Sequence, residues 1–308
     1  MVSLAVAAKQ QFKLPVAKLT VRVLDEVRQP VVGALVRIGF TESTSGQQLL
    51  IQGVTDAQGE FIKEGHAEAR LLADASKEGY YQSGASPTVF NDASDGKWKP
   101  WNPIAEIILR PIGKPVPLFA KRVQTEIPVL DQPCGYDLEK GDWVAPYGKG
   151  ATSDFIFTGH REYKSATDFD MRLDMGFSNP RDGILKTELP IIGKNSVFKW
   201  QREAPESGYA QVPQLRNAVK GDTFIHTFER SDVFFFRVRT VEQNGRIVSG
   251  NYGKISGGLR LDGINAKKTC IVLFTYYLNP TSLDRNIEWD PKRNMFQGLS
   301  SEENPREL

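Results

Sequence analysis

Leu19-Thr-Val-Arg-Val-Leu-Asp25 alternates in the manner of a β-strand, and the chain downstream repeats the pattern. Beyond a turn with Pro30 and Gly33 comes Ala34-Leu-Val-Arg-Ile-Gly-Phe40. Gly53-Val-Thr-Asp-Ala-Gln-Gly59-Glu-Phe61 reads as strand, tight turn and strand. Leu71-Leu-Ala-Asp-Ala-Ser-Lys-Glu-Gly79-Tyr-Tyr81 reads as a strand running into a glycine turn. Side chains two apart share one face of a strand. Short alternating runs separated by turn residues therefore outline a small β-sandwich over residues 17–112. Its last strand is expected at Ile104–Arg110, before Pro111.

The same rhythm governs the second half. Asp168-Phe-Asp-Met-Arg-Leu-Asp-Met-Gly-Phe177 sets Phe169, Met171, Leu173, Met175 and Phe177 on one face, with Asp168, Asp170, Arg172 and Asp174 on the other. Asn244-Gly245 separates the strand-like runs Val233–Val241 and Arg246–Ser249 and predicts a hairpin. Thr269–Leu278 is apolar on both faces, which places it mid-sheet. The only helical candidate is a weak one near Val212–Lys220. The expectation is an all-β protein of two β-sandwich-like domains, the first transthyretin-like or Ig-like, the second a larger antiparallel sandwich over 126–290. Gly113–Phe119, with Pro115 and Pro117, predicts an extended proline-containing linker at 113–125. Residues 1–16 read as a lead-in, and the polar tail 291–308 is expected to be mobile beyond Phe296.

Composition narrows the function classes. The 308 residues carry 39 basic and 37 acidic side chains, well mixed, for a net charge of +2. A nucleic-acid partner needs a concentrated basic face, so none is expected. No apolar stretch reaches the roughly 20 residues of a membrane span. Val2-Ser-Leu-Ala-Val-Ala-Ala8 resembles the end of a secretory signal, although an ordinary terminus of small residues has the same composition. The two cysteines, Cys134 and Cys270, are too far apart for a CxxC site. They are either two buried thiols or one disulfide.

The first unit resembles the carboxypeptidase regulatory-like, or transthyretin-like, domains and the collagen-adhesin B-type repeats of bacterial surface proteins. Asp25 with Pro30–Val36, Val54-Thr-Asp-Ala-Gln-Gly-Glu-Phe61 and Ala75-Ser-Lys-Glu-Gly-Tyr80 carry the resemblance. The turn pattern T-D-x-x-G-x-F falls on Thr55, Asp56, Gly59 and Phe61. The second unit, through Gly141–Gly150, Phe177–Ile184 and Asn286–Asn294, is similar to a C-terminal module of secreted bacterial proteins without a known activity. These resemblances imply β-sandwich domains and an exported protein, and they assign no residue a role.

Candidate sites follow from residue chemistry. Ser86–Pro103 interrupts the first unit just before its last strand. Phe90, Trp98 and Trp101, with Tyr80 and Tyr81 upstream, offer flat rings for stacking sugar faces, and the same tryptophans could equally serve as packing. Asp92 and Asp95 form an oxygen-rich loop that could hold calcium or be a plain turn. Gly141–Gly150 lacks the serine or threonine of a phosphate loop and predicts a structured loop with Trp143 inward. No catalytic residue and no cofactor is expected. The leading function is a non-catalytic exported binding or scaffolding protein, contacting polysaccharide or a surface protein. The alternatives are a carboxylate-dependent hydrolase with its site between the domains, and a structural subunit of an envelope or surface assembly.

Overall fold

Val16–Leu24 is the strand on which the first unit is assembled. In the computed structural model it pairs antiparallel with Glu60–His66 along one edge. Along the other it pairs parallel with Ile104–Ile108 and, at Val16, with Lys97–Lys99. A four-stranded antiparallel sheet, in the order Gln48–Val54, Leu35–Thr41, Ala73–Ser76, Ser83–Gly84, forms the second layer. Leu19, Val21, Val23, Phe61 and Ile107 belong to the same buried cluster as Val36, Ile38, Phe40 and Ala75. The alternation thus becomes one dry layer between two sheets.

The structure describes residues 14–42, 46–190, 194–210, 214–229, 231–263, 269–306 and 308. Val2–Ala8, read above as a signal remnant, lies outside them. The chain divides into two compact units, residues 1–112 with 190–199, and residues 113–189 with 200–308. The return of 190–199 to the first unit has no counterpart in the sequence reading. Ser196 forms a bridge to Ser83, the Val197 amide donates to the Gln82 carbonyl at 3.0 Å, and Phe198 stacks on Tyr81 at 4.9 Å. Arg110 donates to the Phe198 carbonyl at 2.9 Å and holds Glu26 at 2.7 Å.

The second unit is a sandwich of two antiparallel sheets. One runs Phe119–Glu126, Ile271–Leu278, Arg246–Asp262, Val233–Gln243, Gly183–Thr187. The other runs Asp142–Trp143, Cys134–Asp137, Phe155–Ser165, Asp168–Gly176, Leu215–Lys220, Thr223–His226. Phe169, Met171, Leu173 and Met175 are buried as their period predicts, among Phe155, Phe157, Phe236 and Phe274. The protein is therefore all-β, with two β-sandwich-like units; the one helical turn among the described residues is the 3₁₀ segment Pro291–Arg293.

Four expectations change. Leu215–Lys220 is a strand, not a helix, because it completes the sheet beside Asp168–Gly176. The linker 113–125 gives way to the edge strand Phe119–Glu126, since no proline follows Pro117 there to block a ladder. The loop Ser86–Pro103 contains the hairpin Asp92–Ser94 and Lys97–Lys99. Asp95 and Gly96, at φ +51° and +70°, are its turn, the Asp-Gly signature of a tight hairpin. The tail is held: Phe296 packs edge-on against Phe119 at 5.2 Å, and the Arg122 amide donates to the Glu303 carbonyl at 2.7 Å. Both cysteines are buried free thiols. Burial pushes the Cys270 thiol up to about 11, which makes it unreactive.

The turn quoted for the resemblance behaves as its chemistry requires. Asp56 Oδ1 accepts from the amides of Gln58 and Glu60, both at 2.9 Å. Thr55 Oγ1 accepts from the Ala34 amide at 2.9 Å and donates to the Val31 carbonyl at 2.6 Å. Gly59 sits at φ +74°, and a Cβ there would lie 2.6 Å from the Val23 carbonyl oxygen. Gly59→Ala is therefore expected to cost about 2 kcal/mol or more in urea unfolding. Gly84→Ala is the control, because a Cβ there meets only the Ala73 oxygen, at 3.6 Å. Equal midpoints for the two variants would show that the turn is not strained.

Candidate functional site

The aromatic residues singled out in the first unit do not form one surface. Trp98 packs on the core, its indole N–H donating to the Ala67 carbonyl at 2.8 Å and its ring stacked on buried Phe90 at 5.8 Å. Tyr81 is buried under Phe198, and Tyr80 packs against the core with Lys77 over its ring at 5.8 Å. Trp101 is half-buried, with the Lys97 ammonium 5.0 Å from its ring centre. Asp92 and Asp95 are exposed on the hairpin, Asp92 accepting from the Ala93 amide at 2.8 Å. Among the described residues, no group of three or more His, Cys, Asp or Glu side chains is arranged to hold a metal ion. Trp143 is buried, set edge-on to Tyr136, and donates to Thr125 at 3.2 Å.

The second unit holds three concentrations of charge, and their partners separate scaffold from site. In the first, Arg239 grips Asp154 with both nitrogens of one edge, at 2.8 and 2.9 Å, and reaches Glu139 at 2.5 Å and Asp137 at 3.3 Å. Arg239 lies at φ +57° in a bulge between Val238 and Val241. Regular alternation would put it on the side of Phe235 and Arg237; the bulge re-aims it. Burial pushes the Asp154 carboxyl up, and Arg239 opposes this. Burial also acts upward on Asp137, but the amides of Ala151, Thr152, Lys140 and Glu139 outweigh it and hold that carboxyl below its ordinary range. Asp182 accepts from the Arg239 and Thr240 amides at 3.1 and 2.9 Å. Every perturbed carboxylate here is already saturated by arginine or main-chain donors, the signature of a structural network.

The second concentration is the solvent face of Asp168–Gly176. A groove of about 270 Å³ is lined there by Glu162, Lys164, Asp170, Arg216 and Lys220. Arg216 holds Asp170 through both oxygens, at 3.0 and 2.6 Å, and keeps that carboxyl below its usual range. Arg172 reaches Glu162 at 3.3 Å, and Lys164 reaches Asp168 at 3.3 Å. Beside the groove, His160 lies between Asp131 at 2.7 Å and Asp174 at 3.1 Å. The Asp131 hydrogen bond raises its pKa against a smaller opposing effect of burial. These are self-neutralising ladders of a solvated sheet face.

The third differs. A cleft of about 700 Å³, within the range of small-molecule sites, is lined by Tyr209, Arg237, Arg246, Tyr252, Leu283 and Arg285, with Glu206 among its other residues. Arg237 is 7% exposed and lies 5.0 Å over the Tyr209 ring. Its guanidinium donates to two main-chain oxygens, Glu206 at 3.3 Å and Arg181 at 2.8 Å, and its Nε has no hydrogen-bond partner among the described residues. Tyr209 is fixed by donating to the Pro205 carbonyl at 2.6 Å, and its ring lies 6.0 Å from Tyr252. The Asn244-Gly245 turn, at φ +51° and +76°, carries Arg246 to the cleft. Leu283, 47% exposed, is held at φ +62° while its amide donates to the Gly250 carbonyl at 2.8 Å. Leucine rarely adopts this backbone conformation, so the hydrogen bond to Gly250 holds it there and keeps its side chain half in water.

The sequence reading missed Tyr209, Arg237, Tyr252 and Leu283. The one available signal was the pair of arginines, Arg237 and Arg239, inside the run Val233–Val241, whose other residues are apolar except Thr240.

No protein-family model matches the chain, and no curated protein matches it. Among solved structures it is similar to 3-chlorocatechol 1,2-dioxygenase from Rhodococcus opacus 1CP, at 10% identity and a TM-score of 0.28, over 34% of this chain and 63% of that one. The match thus spans less than two thirds of the dioxygenase. It is also similar to a "putative carbohydrate binding protein" from Bacteroides uniformis ATCC 8492, at 10% identity and a TM-score of 0.22, over 87% of this chain and 98% of that one. At these scores neither likeness bears on function, and the resemblance of the first unit to carboxypeptidase regulatory-like domains rests on its quoted residues alone.

Two outcomes test the division between scaffold and site. Arg239→Ala strands Asp154 as a buried carboxylate and is expected to cost about 3 kcal/mol in chemical unfolding; a loss below about 0.5 kcal/mol would refute the clasp. His160 is expected to titrate above its ordinary 6.5 by NMR. Its contribution to stability is then full below pH 6.5 and lost as pH rises through the folded-state value. Asp131→Asn should lower that value, and an unchanged titration would show that the hydrogen bond has no influence.

Proposed function

We propose that the protein is a non-catalytic, exported binding protein that takes a saccharide of a polysaccharide in the cleft of its second unit. The observation that carries the reading is the association of Tyr209 and Tyr252 with Arg237 around a cleft of about 700 Å³. Tyrosine presents a flat apolar face with a polar tip, which suits the C–H face and the hydroxyl edge of a sugar ring. Binding is favoured over hydrolysis because Asp137, Asp154 and Asp182 are engaged as acceptors of structural donors. Export is supported by the small-residue segment Val2–Ala8 and by the resemblance of the first unit to surface-protein domains.

Affinity electrophoresis of the full chain through gels containing single polysaccharides tests the binding. Retardation by at least one polymer is expected, reduced severalfold in Tyr209→Ala and kept in Tyr209→Phe, which retains the ring. Mobility unaffected by every polymer would refute the reading. A fractionation of the source cells that finds the protein only in the cytoplasm would refute export.

One observation favours a second reading, a subunit of a surface assembly. Gln48–Val54 is the edge of its sheet and exposes Leu49, Leu50 and Val54. Exposed apolar edges pair with other chains. Light scattering should then show association that grows with concentration and is abolished by Leu50→Lys. A strict monomer at high concentration ends this reading.

A further inference from the structure

Burying a guanidinium without a counter-charge is costly, because main-chain dipoles replace only part of its hydration. Arg237 is in that position. Among the described residues no carboxylate lies within ion-pair distance of it. The acid that feels its field is Asp182, whose two oxygens are taken by the Arg239 and Thr240 amides. Two carbonyls and the Tyr209 ring supply its surroundings. Arg285, beside it in the cleft, is paired with Glu203 at 3.1 Å, whereas Arg246 on the hairpin is exposed and has no ion pair among the described residues. Glu206 is the acid in the lining, and its side chain is exposed. The lining of the cleft therefore sets three arginines against one acid, Glu206, and among the described residues only Arg285 of the three has an ion pair, while Asp182 meets Arg237 through space alone. This contrasts with the Arg239 cluster and with the groove beside Asp170, where each of the named arginines has its acid.

We infer that the cleft selects an acidic saccharide, a sugar bearing a carboxylate, with Arg237 as the buried counter-charge, Arg246 as an outer contact and Tyr209 as the platform for the ring. This rests on the reading of the cleft as a saccharide site and adds the sign of its ligand. A planar guanidinium matches a carboxylate in shape and keeps its charge at any working pH. The anion supplies what Arg237 lacks, and the ring stacked near Tyr209 separates a sugar acid from a simple ion. Leu283, held left-handed and half exposed, adds an apolar side chain to the same lining.

The test is calorimetry of the full chain with three probes: an oligogalacturonate, its methyl ester, and sodium acetate. The ester keeps the sugar ring and removes the charge. Expected are binding of the acid, at least about tenfold weaker binding of the ester, and none of acetate at the same concentration. Raising the salt should weaken the acid and leave the ester unchanged. Arg237→Gln should bring the acid down to the affinity of the ester. Because Arg237 is buried, the exposed Arg246→Ala serves as a second variant, expected to weaken the acid severalfold with an unaltered melting temperature. Equal binding of acid and ester would overturn the inference and leave the saccharide reading standing. Equal binding of acetate and oligosaccharide would overturn it in favour of a simple anion site. If acid and ester both fail to bind while a neutral polymer retards the chain in the gel, the inference alone falls; if no polymer retards it, the saccharide reading falls as well.

Discussion

The grip of Arg239 on Asp154, Asp137 and Glu139 is the interaction on which the second unit depends. It joins a strand of the five-stranded sheet to the strand Cys134–Asp137 of the six-stranded one and to the residue preceding Phe155. Hydrophobic burial holds two sheets face to face without fixing their slide, since apolar contact has no direction. A guanidinium held at both ends by carboxylates is directional. Asp182 adds a second constraint by accepting from the amides of the bulge that places Arg239. One irregular residue in a strand thus sets how the layers meet.

The same bulge separates two arginines that would otherwise share a fate. Arg237 and Arg239 are two residues apart on one strand, and in a regular ladder they would lie on the same face. The bulge sends Arg239 to its acids and leaves Arg237 over Tyr209. Three further lining residues have left-handed backbone: Gly245 in the hairpin turn, Gly208 at φ +97°, and Leu283. Regular sheets satisfy their own main chain and present alternating side chains. A concave surface arises where that regularity stops.

Sheet edges are the other organising constraint. In the first unit the Ser83–Gly84 edge is covered by Asn195, Ser196 and Val197, which reach it from more than 100 residues further along the chain. The covering segment also supplies Phe198 to Tyr81 and a carbonyl to Arg110. The opposite edge, Gln48–Val54, has no further strand beside it among the described residues and carries exposed apolar side chains. The aromatic residues of Ser86–Pro103 are absorbed into the same unit, with Trp98 closing the core beside Phe90. A tryptophan in a long insertion therefore served packing here, because a hairpin whose half-buried indole lies on the core replaced the loop.

The sequence alone determined the β class, the strands with strict alternation such as Asp168–Gly176, the hairpin at Asn244-Gly245 and the turn at Thr55–Phe61. Each of these is local: two-residue periodicity, or a backbone angle that glycine and asparagine adopt at little cost. Only the tertiary structure decided that 190–199 joins the first unit, that Phe119–Glu126 is a strand rather than a linker, and that Leu215–Lys220 extends a sheet. Those outcomes depend on which edge is available to pair, and that is fixed by distant chain. The cleft was equally invisible beforehand, for what distinguishes Arg237 from Arg239 is not their chemistry, which is identical, but the direct contact with acids that folding gives to Arg239 and, among the described residues, not to Arg237.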